Sequence, residues 1–119
     1  IGATEVRLKG VDAPEGRQTC ERDGATWRCG EAAANELRRL TQGGDVSCRI
    51  IEKDQHGRSL AFCDSEGRDI NRALVLSGAA LDYGHYRQEE AEARAAKRGL
   101  WAGTFERPRD WRRRNGAGG

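Results

Sequence analysis

Residues 6 to 15 read Val-Arg-Leu-Lys-Gly-Val-Asp-Ala-Pro-Glu, and this stretch decides the fold of the 119-residue chain. Successive side chains point to opposite faces of a β-strand, so Val6 and Leu8 can face a core while the basic residues beside them face away. The proline has no N–H to donate and ends the hydrogen-bonded ladder. The stretch therefore predicts a strand that runs into a loop carrying Asp12 and Glu15, and functional side chains often lie on such loops. A solvated edge strand followed by a capping aspartate would give the same pattern.

Four segments of the chain resemble, in order, the motifs of the staphylococcal-nuclease-like (thermonuclease) family. The resemblance covers residues 5 to 101 and rests on these segments: the Arg7 strand with Val11-Asp12-Ala13-Pro14-Glu15, the turn Asp54-Gln55-His56-Gly57-Arg58-Ser59-Leu60-Ala61-Phe62, Asn71-Arg72-Ala73-Leu74-Val75 before Gly78, and Glu90-Ala91-Glu92-Ala93 through Arg98-Gly99-Leu100-Trp101. It implies an α+β fold, namely an OB-type β-barrel with three packed helices. The family barrel begins with a hairpin for which this chain has no sequence before Ile1, so we expect the first hairpin to be missing.

Apolar periodicity and turn residues predict the other elements directly. The predicted elements are a helix over 30–41, strands over 45–53 and 59–64, a helix that follows Asp69 and ends near Ser77, and a helix over 87–98. We expect Asp69 to be an N-cap and Gly99 to form a Schellman stop with Leu100. The chain is expected to fold as one domain, residues 1–114, followed by a flexible glycine-rich tail, residues 115–119.

Composition restricts the classes of function. A formal net charge of +2 is too small to indicate nucleic acid by itself, but all except three of the 21 basic residues are arginines. The planar fork of arginine suits bidentate phosphate contacts, although a GC-rich genome gives the same bias. The arginines that crowd the C-terminal end are expected either to contact phosphate or to solubilise a tail.

No apolar run approaches the roughly 18 residues of a membrane span, and no signal-peptide pattern opens the chain, so we expect no membrane partner. Methionine is absent, including at position 1. We therefore expect the chain to be a processed or excised piece of a longer one.

The four cysteines allow three pairings. Zinc sites favour short C-x-x-C steps, which neither the Cys20–Cys29 nor the Cys48–Cys63 spacing supplies. If the hairpin loop has two residues, Cys48 lies directly across from Cys63, although a glycine bulge in the turn would shift that register by one. We expect disulfides Cys48–Cys63 and Cys20–Cys29, and they predict a periplasmic or secreted location.

Hydrolysis of a phosphodiester needs a nucleophilic water, a group that takes its proton, and positive charge near the phosphorus. The resemblance implies that Arg7 and Arg58 clamp the phosphate and that Glu15 acts as general base or orients the water. Without the resemblance, Arg58 could equally be a hairpin residue in solvent, and Glu15 a turn carboxylate that pairs with a nearby arginine.

The resemblance also implies a calcium site, with Asp12 and the carbonyl oxygen of Ala13 as ligands. Calcium takes about six to eight oxygens, so one carboxylate rarely holds it. The family supplies a second carboxylate from an Asp-Gly-Asp-Thr-type turn in its first hairpin, which this chain lacks as given. We expect that ligand upstream of Ile1, and without it we expect weak calcium binding and little activity.

Tyr83 and Tyr86 follow the second helix, in the region where the family places tyrosines that pack on a base and contact its phosphate. Tyr86 is the closer match by counting from Gly78, and a half-buried tyrosine with an outward hydroxyl is the alternative. His56 takes one of two turn positions where the family often has tyrosine and lysine, and it could serve as a pH-sensitive donor. The resemblance thus implies three substrate-binding candidates.

We therefore predict a calcium-dependent nuclease that hydrolyses phosphodiester bonds of DNA, with RNA as a further candidate substrate, and that acts as a monomer. The alternative is a non-catalytic OB-type module that binds nucleic acid or protein. The two differ in one requirement, because a nuclease needs the acidic group upstream of Ile1 and a binding module does not.

Overall fold

A computed structural model describes residues 6–116, which form four α-helices, one 3₁₀ helix and eight short strands. The strands are β1 (Val6–Leu8), β2 (Val11–Asp12), β3 (Cys20–Arg22), β4 (Ala25–Trp27), β5 (Val46–Lys53), β6 (Ser59–Ser65), β7 (Arg68–Asp69) and β8 (Leu81–Asp82). The helices are α1 (Cys29–Thr41), α2 (Ile70–Leu76), α3 (Arg87–Ala95) and α4 (Pro108–Asn115), with a 3₁₀ helix at Gly99–Ala102. None of the helices in this part of the chain is both long and apolar enough to cross a bilayer.

Strand β6 is the centre of the main sheet. β5 runs antiparallel along one edge of β6, and β1 runs parallel to β6 on the other edge, with Arg7 opposite Leu60. The short β7 pairs with the far end of β6, while β2 pairs with β8 and β3 with β4. Within residues 6–116 the strands thus form an open sheet and two ribbons. The α+β class is confirmed, but these residues do not close the predicted OB-type barrel.

The β5–β6 hairpin has a three-residue loop with a glycine bulge, which is the second of the two turns that the sequence left open. The N–H of Asp54 donates to the carbonyl oxygen of Arg58 (N···O 2.9 Å), and the N–H of Gly57 donates to that of Asp54 (3.0 Å). Gly57 has φ 80°, a left-handed conformation that glycine adopts at no steric cost. A one-residue irregularity in the middle of β5 then restores the register, so Cys48 lies opposite Cys63. The three-residue loop shifts the strand register by one residue, and the irregularity in β5 shifts it back. The predicted pair of cysteines therefore forms.

Both predicted disulfides are present, and each joins neighbouring elements. Cys48–Cys63 links β5 to β6 directly across the ladder. Cys20–Cys29 links the first residue of β3 to the first residue of α1. The segment between the second pair is therefore a β3–β4 ribbon held against a helix.

The core lies between the main sheet and the helices α1 and α2. Its buried members are Leu40, Ala61, Cys63, Ile70, Leu74 and Ala80. Val6 and Leu8 pack against this cluster, as their alternation predicts, and Arg7 between them is exposed on the opposite face.

Asn71 ties β1, β6 and α2 together from a fully buried position. Its side-chain nitrogen donates to the carbonyl oxygens of Lys9 (2.9 Å) and Ala61 (3.1 Å), and its side-chain oxygen accepts from the N–H of Cys63 (3.0 Å). β1 pairs with residues 59–61 of β6, and β7 pairs with residues 64–65. Asn71 therefore supplies hydrogen bonds to the backbone of β6 at the place where neither strand pairs with it. Helix α2 thereby fixes the strand that carries Arg7.

The C-terminal residues form a helix that the sequence analysis did not predict. Residues 6–116 contain four α-helices instead of the predicted three, because the basic end of the chain folds as α4 and extends to Asn115. The predicted tail at 115–119 thus begins inside a helix, and residues 117–119 lie outside the described residues.

Helix α3 ends earlier than predicted, and a different residue ends it. Lys97 takes the left-handed conformation (φ 55°) at which we expected Gly99. The N–H of Arg98 donates to the carbonyl oxygen of Ala93 (3.0 Å) and that of Lys97 to Arg94 (3.1 Å), which is the Schellman pattern. Gly99 instead begins the 3₁₀ helix.

We predict that Asn71→Ala lowers the free energy of unfolding by about 3 kcal/mol, because it leaves the buried N–H of Cys63 without a partner and removes two further hydrogen bonds. Denaturant unfolding followed by circular dichroism measures this value. Asn35→Ala, at an exposed position in α1, is the matched control and should change stability by less than about 0.5 kcal/mol. An Asn71→Ala protein as stable as its parent would contradict the role assigned to this amide.

Candidate active site

A cleft of about 820 Å³ opens between β1, the β5–β6 turn, the loop after β2, and the helices α1 and α4. Seven of the residues predicted for the functional site line this cleft. They are Arg7, Asp12, Ala13, Glu15, His56, Arg58 and Tyr83. The fold therefore brings together groups that are up to 76 positions apart in the sequence, from Arg7 to Tyr83.

The cleft contains more basic side chains than acidic ones. Its basic side chains are Arg7, Lys9, Arg58, Arg109 and Arg112, and its acidic ones are Asp12, Glu15 and Asp54. A concave site with excess positive charge and low-dielectric walls attracts anions. Its electrostatics therefore favour a phosphate-bearing ligand.

The strand register places Arg7 and Arg58 on the same face of the sheet. Arg7 lies opposite Leu60, and Arg58 lies two residues before Leu60. Cross-strand partners and residues two apart in a strand point to the same face, so both guanidinium groups face the cleft that they line. Two planar donor groups arranged in this way can bind different oxygens of one phosphate.

Asp54 fixes the turn that carries Arg58. Its Oδ1 accepts from the N–H groups of His56 (2.8 Å) and Arg58 (2.9 Å), and its Oδ2 accepts from Nε of Arg58 (2.7 Å). Burial acts to raise the pKa of Asp54, but these hydrogen bonds and the charge of Arg58 outweigh it, so the pKa lies below its ordinary value. The carboxylate is therefore charged at neutral pH and orients the guanidinium.

The loop that carries Glu15 is packed on two sides. A Cβ on Gly30, in the first turn of α1, would lie 1.8 Å from the carbonyl oxygen of Glu15, so only glycine permits this close approach. The buried Gln18 accepts from the N–H of Glu15 (3.3 Å) and donates to the carbonyl oxygen of Glu106 (2.8 Å). These contacts connect the Glu15 loop to α1 and to the segment that precedes α4.

Arg112 of α4 contacts both carboxylates predicted for the site. Its Nη2 lies 3.0 Å from Oδ1 of Asp12, and its Nη1 lies 3.7 Å from Oε2 of Glu15. The side chains of Arg112 and Asp12 are 20% and 14% exposed. Partial removal from water strengthens such a pair relative to a fully exposed one.

The described residues do not by themselves fit the calcium ion that the family resemblance implies. Asp12 and the carbonyl of Ala13 offer oxygens, whereas calcium takes about six to eight. Among residues 6–116, no three acidic, histidine or cysteine side chains cluster so that they could hold a metal ion. Asp12 is in addition already hydrogen-bonded to Arg112.

Of the two predicted tyrosines, Tyr83 lines the cleft and Tyr86 does not. Tyr83 is 64% exposed, and its N–H donates to the carbonyl oxygen of Gly10 (2.7 Å). Tyr86 is 7% exposed, and burial, together with nearby carboxylates, raises the pKa of Tyr86 to about 12. The sequence favoured Tyr86 over Tyr83 as the substrate contact, whereas the structure buries Tyr86 outside the cleft and exposes Tyr83 in the cleft wall.

Asp82 holds the loop on which Tyr83 lies. Its Oδ1 accepts from the N–H groups of Gly84 (2.9 Å), His85 (2.8 Å) and Tyr86 (2.7 Å). One carboxylate oxygen thus satisfies three successive backbone donors ahead of α3. The exposed tyrosine ring is carried by a fixed backbone.

Sequence patterns indicated no structural role in the cleft for five residues that shape it. They are Gln18, Gly30, Asp54, Asp82 and Arg112. The two aspartates had a local signal, because aspartate shortly before a glycine is typical of a turn in which the carboxylate binds the backbone. The contacts of Gln18 and Arg112 span 88 and 100 residues, and no local pattern indicates them.

The family model described as "Staphylococcal nuclease homologue" matches residues 5–103. The chain is 34% identical over 109 residues to succinoglycan biosynthesis protein ExoI of Rhizobium meliloti (strain 1021), which covers 85% of this chain and 57% of that protein. It is 31% identical over 107 residues to a protein of Escherichia coli O157:H7 named uncharacterized endonuclease, covering 84% and 64%. It is 27% identical over 120 residues to staphylococcal-like nuclease CAN1 of Arabidopsis thaliana, covering 95% and 34%.

The chain spans less than two thirds of the length of each of these relatives. The family match ends at residue 103, so α4 and its residues Arg109 and Arg112 lie beyond it.

We predict that the backbone N–H signals of His56 and Arg58 titrate with a midpoint below the ordinary pKa of an aspartate side chain. Both groups donate to Asp54, whose pKa is lowered by folding. Because the folded pKa lies below the unfolded one, the carboxylate stabilises the turn fully above the unfolded pKa. This contribution is lost as the pH falls through the folded pKa.

Nuclear magnetic resonance spectra of ¹⁵N-labelled protein, recorded from neutral pH into the acid range, measure this midpoint. Asp54→Asn should remove the titration, whereas Asp64→Asn, at an exposed position of β6, should leave it unchanged. A midpoint at or above the ordinary aspartate value would show that the hydrogen bonds do not stabilise the charged form.

Proposed function

Since the chain belongs to the family of staphylococcal nuclease homologues, we propose that it hydrolyses phosphodiester bonds in DNA, with RNA as a further candidate substrate. The observation that carries the proposal is that Arg7, Arg58 and Glu15 line one cleft with excess positive charge. The names of two relatives, an endonuclease and a staphylococcal-like nuclease, support the same reaction class.

The two arginines of the sheet face are proposed to bind the phosphate. Arg7 and Arg58 would donate hydrogen bonds to its non-bridging oxygens, where negative charge accumulates as the phosphorus becomes five-coordinate. Asp54 already holds the guanidinium of Arg58 in place (2.7 Å), so this donor needs little reorganisation when the substrate binds. Stabilisation of the transition state would come mainly from this pair.

Glu15 is proposed to act on the water. Its side chain is 36% exposed, so water reaches it, and its backbone is fixed by Gln18 and by the close approach of Gly30. The carboxylate takes a proton from the water, or orients it, as the water oxygen bonds to phosphorus. The bond from phosphorus to the leaving oxygen breaks, and that oxygen takes a proton from solvent.

Tyr83 and His56 are proposed to contact the rest of the substrate. The exposed ring of Tyr83 forms part of the cleft wall and offers a surface on which a base can stack, which depends little on sequence. His56 lies at the turn and lines the cleft, where a ring N–H can donate to a phosphate oxygen. We expect weak sequence preference from contacts of this kind.

We propose calcium as the cofactor, with Asp12 and the carbonyl oxygen of Ala13 as two of its ligands and a further carboxylate from outside residues 6–116. The described residues supply only part of the oxygens that calcium takes.

The two disulfides support an oxidising location, periplasmic or secreted, and we propose that the chain acts as a monomer.

A non-catalytic module that binds nucleic acid is the second candidate, and one observation favours it. Asp12 and Glu15, the proposed metal ligand and base, are both paired with Arg112. A binding module needs the basic cleft and the ring of Tyr83 but no base. It would bind an oligonucleotide without cleaving it.

We predict that Arg7→Ala, Glu15→Ala and Arg58→Ala each lower kcat for cleavage of single-stranded DNA by about 10²- to 10⁴-fold in the complete protein. Each group acts mainly in the transition state, so kcat should fall more than KM rises. Steady-state kinetics on a fluorescent oligonucleotide measure both constants. Unchanged kcat in the Glu15→Ala protein would exclude the assigned base and favour the binding module.

Tyr83→Ala should act differently and raise KM by about 5- to 100-fold with a small change in kcat, because a stacking contact of roughly 1–3 kcal/mol serves binding. Tyr86→Phe is the control, since the hydroxyl of Tyr86 lies at a buried position outside the cleft. The same kinetic assay compares the two variants. Equal KM values for the parent and Tyr83→Ala would remove Tyr83 from the substrate site.

A further inference from the structure

We propose that Arg112 is the built-in cation of this cleft, a positioning residue whose guanidinium holds the carboxylates of Asp12 and Glu15 where the family resemblance implies a metal ion. The inference rests on the proposed function of the cleft. It concerns a residue beyond the family match, which ends at residue 103.

One guanidinium reaches two carboxylates through its two terminal nitrogens. Nη2 lies 3.0 Å from Oδ1 of Asp12, and Nη1 lies 3.7 Å from Oε2 of Glu15. The fork of an arginine is planar and rigid, so it sets the separation between the two groups that it contacts. A lysine has a single charged nitrogen and cannot set that separation in the same way. The two carboxylates, three positions apart in the loop, are therefore oriented by a residue about 100 positions away.

Helix α4 is anchored to the loop that carries Glu15, which fixes the position of Arg112. Trp111 and Pro108 are the buried residues of this helix. The guanidinium of Arg17 lies 5.6 Å from the centroid of the Trp111 ring. Gln18, in the same loop, donates to the carbonyl oxygen of Glu106 just before the helix (2.8 Å).

A divalent ion that uses Asp12 has to compete with this guanidinium, because two cations at one carboxylate repel each other. When the state that can bind a ligand is a minor fraction, the apparent affinity falls by that fraction. Removal of Arg112 should therefore strengthen divalent-ion binding while it releases Glu15 from its fixed position. A residue with only a structural role would not produce this opposite pair of effects.

The test compares calcium binding to the complete protein and to its Arg112→Gln variant by isothermal titration calorimetry with calcium chloride. We expect the variant to bind calcium about tenfold more tightly or better. Arg113→Gln is the matched control on the same helix, since Arg113 is 73% exposed and pairs with Asp110, and its affinity should equal that of the parent. In the cleavage assay Arg112→Gln should lower kcat and leave KM near the parent value, because Glu15 acts on the water.

Equal calcium affinity in the parent and in Arg112→Gln, or no calcium binding to either, would overturn the proposal. Arg112→Lys keeps the charge without the fork, and we expect its affinity to lie between the two. If Arg112→Gln does not fold, tighter calcium binding by Arg112→Lys than by the parent supports the proposal, and equal binding overturns it. Calcium binding requires no cleavage, so this result is independent of the nuclease assay on Glu15→Ala.

Discussion

The geometry of the cleft depends on how β1 is held beside β6, and the buried amide of Asn71 supplies that constraint. β1 has three residues, and its pairing with β6 stops before β7 begins. Three hydrogen bonds from one side chain satisfy the backbone in this gap and join it to α2. A ladder of three residues makes too few bonds to specify its own register, whereas a fully satisfied buried amide specifies one arrangement. Arg7, in the middle of β1, thus takes its position in part from the helix that carries Asn71.

Aspartate side chains constrain the backbone of two loops, because each accepts hydrogen bonds from several backbone N–H groups. Asp54 does this in the turn of Arg58, and Asp82 does it in the loop of Tyr83. Asp69 accepts from the first turn of α2 in the same manner, as an N-cap. Turns leave backbone donors that a ladder would satisfy, and a short carboxylate side chain is suited to satisfy them. His56, Arg58 and Tyr83 lie within four residues of Asp54 or Asp82, so the two loops that carry them have a fixed backbone.

Sequence patterns predicted the elements whose signals are local, including the alternation of β1 and the N-cap of α2. The same patterns did not predict the structure correctly where one residue type serves two structural roles, as glycine does. Gly99 was expected to end α3, but a Cβ there would lie 2.5 Å from the carbonyl oxygen of Gly78, so this glycine is needed for a close contact between two segments. Lys97 ends α3 in the left-handed conformation (φ 55°), and Gly99 has a positive φ of its own (53°) within the next segment. Helix α4 was missed because its buried residues are Pro108 and Trp111, which is too weak an apolar pattern to predict a helix.

The contact of Arg112 also bears on where the functional unit of this chain ends. Residues 5–103 contain both arginines of the sheet face and both carboxylates of the loop, but the cation that faces those carboxylates comes from α4. Two carboxylates without a cation would place negative charge beside the proposed phosphate position, and like charges repel. An arginine that pairs with both of them removes this repulsion and still leaves Glu15 in the cleft. On the proposed mechanism, cleavage and simple binding differ in the state of the pair between Glu15 and Arg112, and α4 lines the cleft together with the strand that carries Arg7.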